Sequence, residues 1–404
     1  MRVLHVITDP SAGGGGRRLR SLLPHLDAEC EIAVLTAAAP DASGEAVAAG
    51  VPVHRVGGRG PRAVRRLARL MRAGRYDVVH THRYPACVYG RIAARLADVP
   101  AVVSTEHSAG EDRIGGRRAG AGVRGLYRAA EALGDVTVAV SMTVADRLAR
   151  WGVPRSRIEV IPPGIDARFF RYDQRLRHEA RDRLGIPRDA HVVGGVGRLE
   201  PGKRFDVLLE AVAGLDGSVL VLAGEGSARW ALAERAQALG IKRRVVFAGE
   251  SADVPALLSA FDVLAAPSEE EAFGTAVVEG LAAGLPVLYS CCPALEELPS
   301  LAAPGARRVP SDAGRLRAEL GALAAAGPLR LPTPPAVAHY DVRRHAALTA
   351  TLYERLLQEV SPAALAASAP REAPPATQRR ARPGTPPAPV RPAEPETTLR
   401  RAQA

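Results

Sequence analysis

Glu271-Ala-Phe-Gly-Thr-Ala-Val-Val-Glu279, continued by Gly280-Leu-Ala-Ala-Gly-Leu-Pro-Val-Leu288, places two carboxylates eight positions apart around a Phe-Gly-Thr turn. A short Ala-rich segment ending at Gly284 follows the turn and runs into a buried apolar strand. A turn that opens a helix offers unpaired backbone N–H groups and a positive dipole end to an anion. Glu271 is expected in the loop before that helix, and Glu279 about one turn inside it. Amides at Phe273, Gly274 and Thr275 with a carboxylate on either side suit a sugar diphosphate, phosphate on the amides and hydroxyls on the acids. The competing reading is a solvated acidic face, which fits the neighbouring Glu269 and Glu270.

Working outward, apolar strands alternate with helical patterns. Strands are expected at 3–8, 31–36, 53–56, 77–82, 101–106, 136–141 and 157–161, with helices such as 62–73 and 85–96 between them. Ile161-Pro-Pro-Gly-Ile-Asp166 punctuates the chain, and strands resume at 191–196, 218–223, 245–248, 263–266 and 286–289. The fold class is therefore α/β: two Rossmann-like, doubly wound domains, 1–166 and 167–340, facing a central cleft, with ligands at the carboxyl ends of strands. Residues 341–360 read as one amphipathic helix with Leu348, Leu352, Leu356 and Leu357 on a common face. The Pro/Ala/Arg-rich stretch 361–404 has too few large apolar residues to offset its ordering entropy and reads as disordered.

At 404 residues the chain is long enough for two substantial cores. No apolar run reaches the ~18 residues needed to span a bilayer, and the amino-terminal segment reads as a strand rather than a signal peptide. Cys30, Cys87, Cys291 and Cys292 match neither a disulfide framework nor a zinc site. A cytoplasmic protein is expected. The net charge of +11 is nearly all arginine, Lys203 and Lys242 being the two lysines, and a high-GC coding bias accounts for it. With aromatics at 4% there is little material for base stacking, which argues against nucleic acid as a partner.

Val193-Gly-Gly-Val-Gly-Arg198-Leu-Glu-Pro-Gly-Lys203 ends a strand in glycines and places two cations five apart, able to flank a diphosphate. Lys203 is expected to begin the next helix. Solvated surface charge is the alternative, and a dinucleotide fingerprint fails for want of its third glycine. Gly224-Glu-Gly226 follows another strand, a turn type common enough to be weak by itself. Gly13 to Gly16, linking the first strand to the first helix, either expose amides to a ligand or form a merely flexible loop. His107 stands at a strand end facing the same cleft, where a lone His is otherwise more often structural; His80 and His82 are further candidate cleft liners.

These segments together resemble the retaining glycosyltransferases of family 4, which have the GT-B fold. Glu271 to Glu279 is similar to the family's E-x7-E signature, Arg198 to Lys203 to its donor-phosphate motif, Gly224 to Gly226 to its G-x-G turn, and Thr105-Glu106-His107-Ser108 to its T-x-H-S segment. The resemblance covers about residues 1–300 and the last helix, which in GT-B crosses back to the first domain. It implies transfer of a hexose-type sugar from a nucleotide diphosphate sugar to a sugar or lipid-linked acceptor, with anomeric configuration retained. His107, Arg198, Lys203 and Glu271 are then catalytic. Gly15, Gly16, Gly224, Phe273, Gly274, Thr275 and Glu279 are donor-binding, Glu279 holding the ribose. No Asp-x-Asp motif is present, so neither metal nor cofactor is expected. The sequence departs from the family at Gly15 and Gly16, where Ala and Glu are usual, at Pro163 in place of Asn, and at Cys291-Cys292-Pro-Ala in place of glycines. A sugar-nucleotide epimerase and a non-enzymatic nucleotide-binding protein are the other classes compatible with two such sheets. The arginine-rich helix from Arg62 to Arg72, with a second basic stretch from Arg113 to Arg128, suggests peripheral contact with an anionic membrane at its inner face; a solvated helix packed on the sheet is the alternative.

Overall fold

The computed structural model describes residues 1–8, 14–36, 50–58, 60–107, 113–114, 117–118, 120–251 and 253–359. The tail from 361, Ser108 and the first part of the Gly-rich link, residues 9–13, lie outside the described residues. In chain order the strands are β1 (Arg2–Ile7), β2 (Glu29–Val34), β3 (Val53–Arg55), β4 (Val78–His82), β5 (Ala101–Glu106), β6 (Arg113–Ile114), β7 (Arg117–Arg118), β8 (Val136–Ala139) and β9 (Ile158–Val160). The second set comprises β10 (His191–Val196), β11 (Ser218–Ala223), β12 (Val245–Gly249), β13 (Val263–Ala266), β14 (Val287–Tyr289) and β15 (Ala306–Arg308).

The first sheet has the order β3-β2-β1-β4-β5-β8-β9 and the second β12-β11-β10-β13-β14-β15; β6 and β7 form a separate antiparallel pair. Every pair within the two large sheets is parallel. The order reverses direction between β1 and β4 and again between β10 and β13, and crevices at such switch points hold ligands in open α/β sheets. Both sheets belong to one compact unit. The fold is thus α/β with two doubly wound sheets. Helices cover both faces, so the central strands read as nearly continuous apolar runs.

Helix Gly60–Gly74 buries Ala63 and lays Val64, Leu67, Ala68 and Met71 on one face of the first sheet, against Leu4, Val6 and Val79. Its arginines Arg62, Arg65, Arg66, Arg69 and Arg72 are exposed. The opposite face of the same sheet is covered by helix Val342–Glu359, although that helix follows the second sheet in the chain. Leu352, Tyr353 and Leu356 pack there on Val3, Val78, Val103 and Val138. Leu348 is 40% exposed, so it does not belong to the buried stripe assigned to it; Val342, Ala346 and Thr349 complete that stripe instead.

The chain crosses between the sheets in two strands of backbone bonded to each other. Ile165 N donates to Tyr340 O at 2.7 Å, and Val342 N donates to Ile165 O at 3.2 Å. Gly164 is required at this crossing, since a Cβ there would lie 2.4 Å from Val342 Cα. Strand β15 has no counterpart among the expected strands: three residues, two of them exposed arginines, carry no apolar run.

Candidate active site

The loop after β13 brings Glu271 to the carboxyl end of the second sheet, and helix Thr275–Ala282 starts immediately beyond it. Gly274 caps that helix with φ +95°, and a Cβ there would meet Cys292 Sγ at 2.4 Å. Only glycine suits the position on both counts. The Cys291-Cys292 departure thus packs directly beneath the turn, and Pro293 opens the short helix Pro293–Glu296 behind it. Phe273 is buried edge-on against Tyr340, ring centroids 4.9 Å apart, and its carbonyl accepts from Ala294 N at 2.9 Å. Its side chain is an anchor for the loop, leaving its backbone as the part able to meet a ligand. Thr275 occupies the first helical position, half-buried.

The two carboxylates are both ion-paired. Glu279 is 3% exposed and accepts from Arg17 at 3.0 Å, while Glu271 is paired with Lys203. Burial pushes the Glu279 carboxyl above its ordinary range, and Arg17 and Arg18 oppose that shift without cancelling it.

Lys203 lies in a 3-10 turn, Pro201–Lys203, rather than at the head of the α-helix expected there. That helix begins at Phe205, after Arg204 adopts a left-handed φ of +53°. The Lys203 side chain passes over Gly197, whose ideal Cβ would be 3.6 Å from its Cε. Arg198, on the same loop, is exposed and is not drawn into the Lys203–Glu271 pair. The glycines of the next turn fix this loop. A Cβ on Gly224 would stand 1.9 Å from the Gly197 carbonyl oxygen, and one on Gly226 would stand 2.4 Å from that of Leu199. Gly224 therefore acts on the site by letting the backbone behind Arg198 approach.

From the first sheet, Gly15 and Gly16 form the first turn of helix Gly14–Leu22 and not a connecting loop, which corrects the expectation for those two residues. Gly16 is buried. The same helix supplies Arg17 and Arg18, which sequence reasoning passed over. Burial lowers Arg18 to about 10, with Arg83 and Arg17 pushing down and Glu279 and Glu271 pushing up, so it stays charged at neutral pH. His107 follows β5, and its Nε2 lies 3.3 Å from Nδ1 of His82, which lies through Nε2 3.1 Å from Nδ1 of His5. Burial pushes His82 and His107 well below the usual histidine range and His5 to about 3, so these rings are neutral. Arg18 and Arg83 add to the effect at His107.

Three further contacts join the sheets around the cleft. Ser141 Oγ donates to Ala272 O at 2.6 Å and also accepts from Val144 N, capping helix Met142–Arg150. The Glu297 carboxylate accepts from Met142 N and Thr143 N, 3.0 Å each, at that helix's positive end. Arg147 pairs with Glu270 at 2.7 Å, so Glu270 is not simply a solvated acid. The structure thus assembles Arg17, Arg18, Lys203, Glu271, Glu279 and the Gly274 turn into one partly buried, charged cleft. His107 is linked to it electrostatically through Arg18.

Comparison with known proteins identifies the family and the fold. Residues 12–169 match the family model for Glycosyltransferase Family 4, and residues 177–319 match that for Glycosyl transferases group 1. D-inositol 3-phosphate glycosyltransferase of Mycobacterium tuberculosis is 32% identical over 228 residues, covering 53% of this chain and 47% of the relative. The chain therefore spans about half the length of the curated relatives it matches. Among solved structures, Anabaena HepE in complex with UDP and glucose aligns with a TM-score of 0.74 at 21% identity, covering 88% of this chain and 100% of that one. Sucrose-phosphate synthase of Thermosynechococcus elongatus aligns at 0.71 with 21% identity, covering 89% and 100%. By its two family matches and its paired Rossmann-like sheets, the chain belongs to glycosyltransferase family 4 and carries the GT-B fold.

Proposed function

We propose that the protein transfers a hexose-type sugar from a nucleotide diphosphate sugar to a hydroxyl acceptor, with retention of the anomeric configuration. The observation that carries this reading is the pairing of each carboxylate with a cation at the mouths of the two sheets, the buried Glu279 with Arg17 and the half-buried Glu271 with Lys203. Charge builds on the leaving diphosphate as the sugar becomes oxocarbenium-like. Arg198, Lys203 and the amides of Phe273 to Thr275 stabilise that charge in place, worth several kcal/mol for such preorganised groups. These groups take the part that a divalent metal plays elsewhere, so no metal is required. Glu279 binds the ribose hydroxyls and Glu271 the transferred sugar. His107 reaches the sugar from the other side of the cleft. No covalent nucleophile is assigned: the leaving phosphate itself helps deprotonate the acceptor on the same face.

The printed titles of the HepE structures include UDP, glucose and UDP-glucose, which supports a nucleotide-sugar donor here. The acceptor enters from the first-sheet side. A lipid-linked acceptor at a cytoplasmic membrane face is consistent with the five exposed arginines of helix Gly60–Gly74, whose apolar side is committed to the core, so any attachment is electrostatic. No helix among the described residues is long and apolar enough to cross a membrane. A donor screen following nucleoside diphosphate release, with the product anomer read by proton NMR, tests the proposal. Donor consumption giving an inverted product, or interconversion of donors without nucleotide release, contradicts it.

A further inference from the structure

The histidines beneath the cleft are connected end to end. His5 on β1 and His80 and His82 on β4 lie on one face of the first sheet, in register as His5 opposite His80 and Ile7 opposite His82. The rings of His5 and His82 stack at 5.4 Å and 20°, and those of His82 and His107 lie 5.5 Å apart. His80 stands 4.3 Å from His82 but is not a link: its two nitrogens are taken by Tyr353 Oη and Thr105 Oγ1. Nitrogens of His5, His80 and His82 come within 4.8 Å of one another, close enough for a metal, yet both on His80 are already engaged.

A neutral imidazole has one donor and one acceptor nitrogen. In a chain of such rings each bond dictates the next, so only two proton orders exist. One puts the proton on Nδ1 of all three rings and leaves His5 Nε2 bare. The other puts it on Nε2 of all three and leaves His107 Nδ1 bare. Among the described residues, those two terminal atoms, His5 Nε2 and His107 Nδ1, are buried without a hydrogen-bond partner. An unmade buried N–H is the costlier vacancy, since it loses its only partner. His5 is fully buried, whereas His107 is half-buried at the end of β5, so its Nδ1, covered here, is the terminal atom that lies nearer the cleft. The proton order that leaves the bare nitrogen at His5 is therefore favoured.

We propose that His5, His82 and His107 form a hydrogen-bonded imidazole chain that fixes His107 in the Nδ1-protonated tautomer, so that it offers an N–H to an oxygen of the bound sugar. His82 and His5 are positioning residues acting through His107. What His107 does with that proton rests on the glycosyltransferase reading; the tautomer order does not.

The test uses the full chain labelled with nitrogen-15, with ring tautomers read from long-range proton–nitrogen correlations at neutral pH. All three rings are expected as Nδ1–H. His82→Phe should release His107 into a tautomer mixture and lower kcat roughly 10-fold or more, with KM within about threefold. His82→Asn, whose amide N–H sits near the position of Nδ1, should restore both the tautomer and most of kcat. If His82→Phe does not fold, His5→Phe cuts the same chain at its far end and should loosen His82 and His107 together. An Nε2–H His107 in the wild type, or an unchanged His107 tautomer in the folded His82→Phe or His5→Phe protein, overturns the proposal. Normal turnover by His107→Ala would instead remove the functional reading of His107, and the tautomer spectra would still decide the chain.

Discussion

Arg17 and Glu279, 262 positions apart in the chain, meet at 3.0 Å across the cleft, the arginine from the first sheet's leading helix and the carboxylate from inside helix Thr275–Ala282. The Glu279 carboxylate is thus already occupied, and on the proposed donor role a ribose would have to share it with Arg17 or displace the arginine. Breaking a buried pair from one side leaves an uncompensated charge. Arg17→Met should therefore destabilise the free protein by roughly 2–3 kcal/mol in urea titrations, and Glu279→Gln in the same background should recover part of that loss. Strict additivity of the two substitutions would show that the pair contributes nothing.

The buried histidines set the acid limit of stability. Burial lowers His5 to about 3 and His345 to about 4, with His80, His82 and His107 also well below their ordinary value of 6.5. Below 6.5 the unfolded chain binds these protons and the folded chain does not, so stability should fall as pH drops from about 6.5 towards 4. Glu279 has the opposite sign: its raised value favours the folded state at low pH and costs stability as pH rises through that value. Chemical denaturation across pH 4–7 should show the histidine effect dominating. A flat profile over that window contradicts neutral burial of the cluster.

Gly224→Ala should disable the site without touching a charged group. With φ +140° and a Cβ position 1.9 Å from the Gly197 carbonyl oxygen, the substitution forces the Arg198 loop to move. A stability loss above about 1 kcal/mol and a fall in donor turnover are expected. Wild-type turnover in Gly224→Ala would show that the loop's position is immaterial.

Arg198 and Lys203 are expected to serve one developing charge. Alanine at either should lower kcat about 10²-fold or more, and the double substitution should cost less than the product of the two. Independent, multiplicative effects would separate their roles, and this is read from steady-state kinetics on the three variants.

The strands of both sheets were legible because β-branched runs such as Val102-Val103 and Val192-Val193 are buried on two faces, and apolar length alone marks them. β15 was not, since Ala306-Arg-Arg308 is held by pairing with β14 and not by its own composition. Gly14 to Gly16 read as a link because glycine is a poor helix former, yet they make a helical turn. Glu271, Glu279 and Lys203 stood out by spacing, but their partners did not. Arg17 and Arg18 are two arginines in an arginine-rich chain, and nothing local distinguishes them. The contact of His5 with His82 joins strands 77 positions apart, a relation only the parallel register of β1 and β4 creates.

The most direct measurement is calorimetric titration with the nucleoside diphosphate that most raises the melting temperature, on wild type and Glu279→Ala. The central claim is that this buried carboxylate binds the donor's ribose in the cleft between the two sheets. At least about tenfold weaker binding by Glu279→Ala is predicted, as for loss of a charge-assisted hydrogen bond. Equal affinity in the two folded proteins would contradict it.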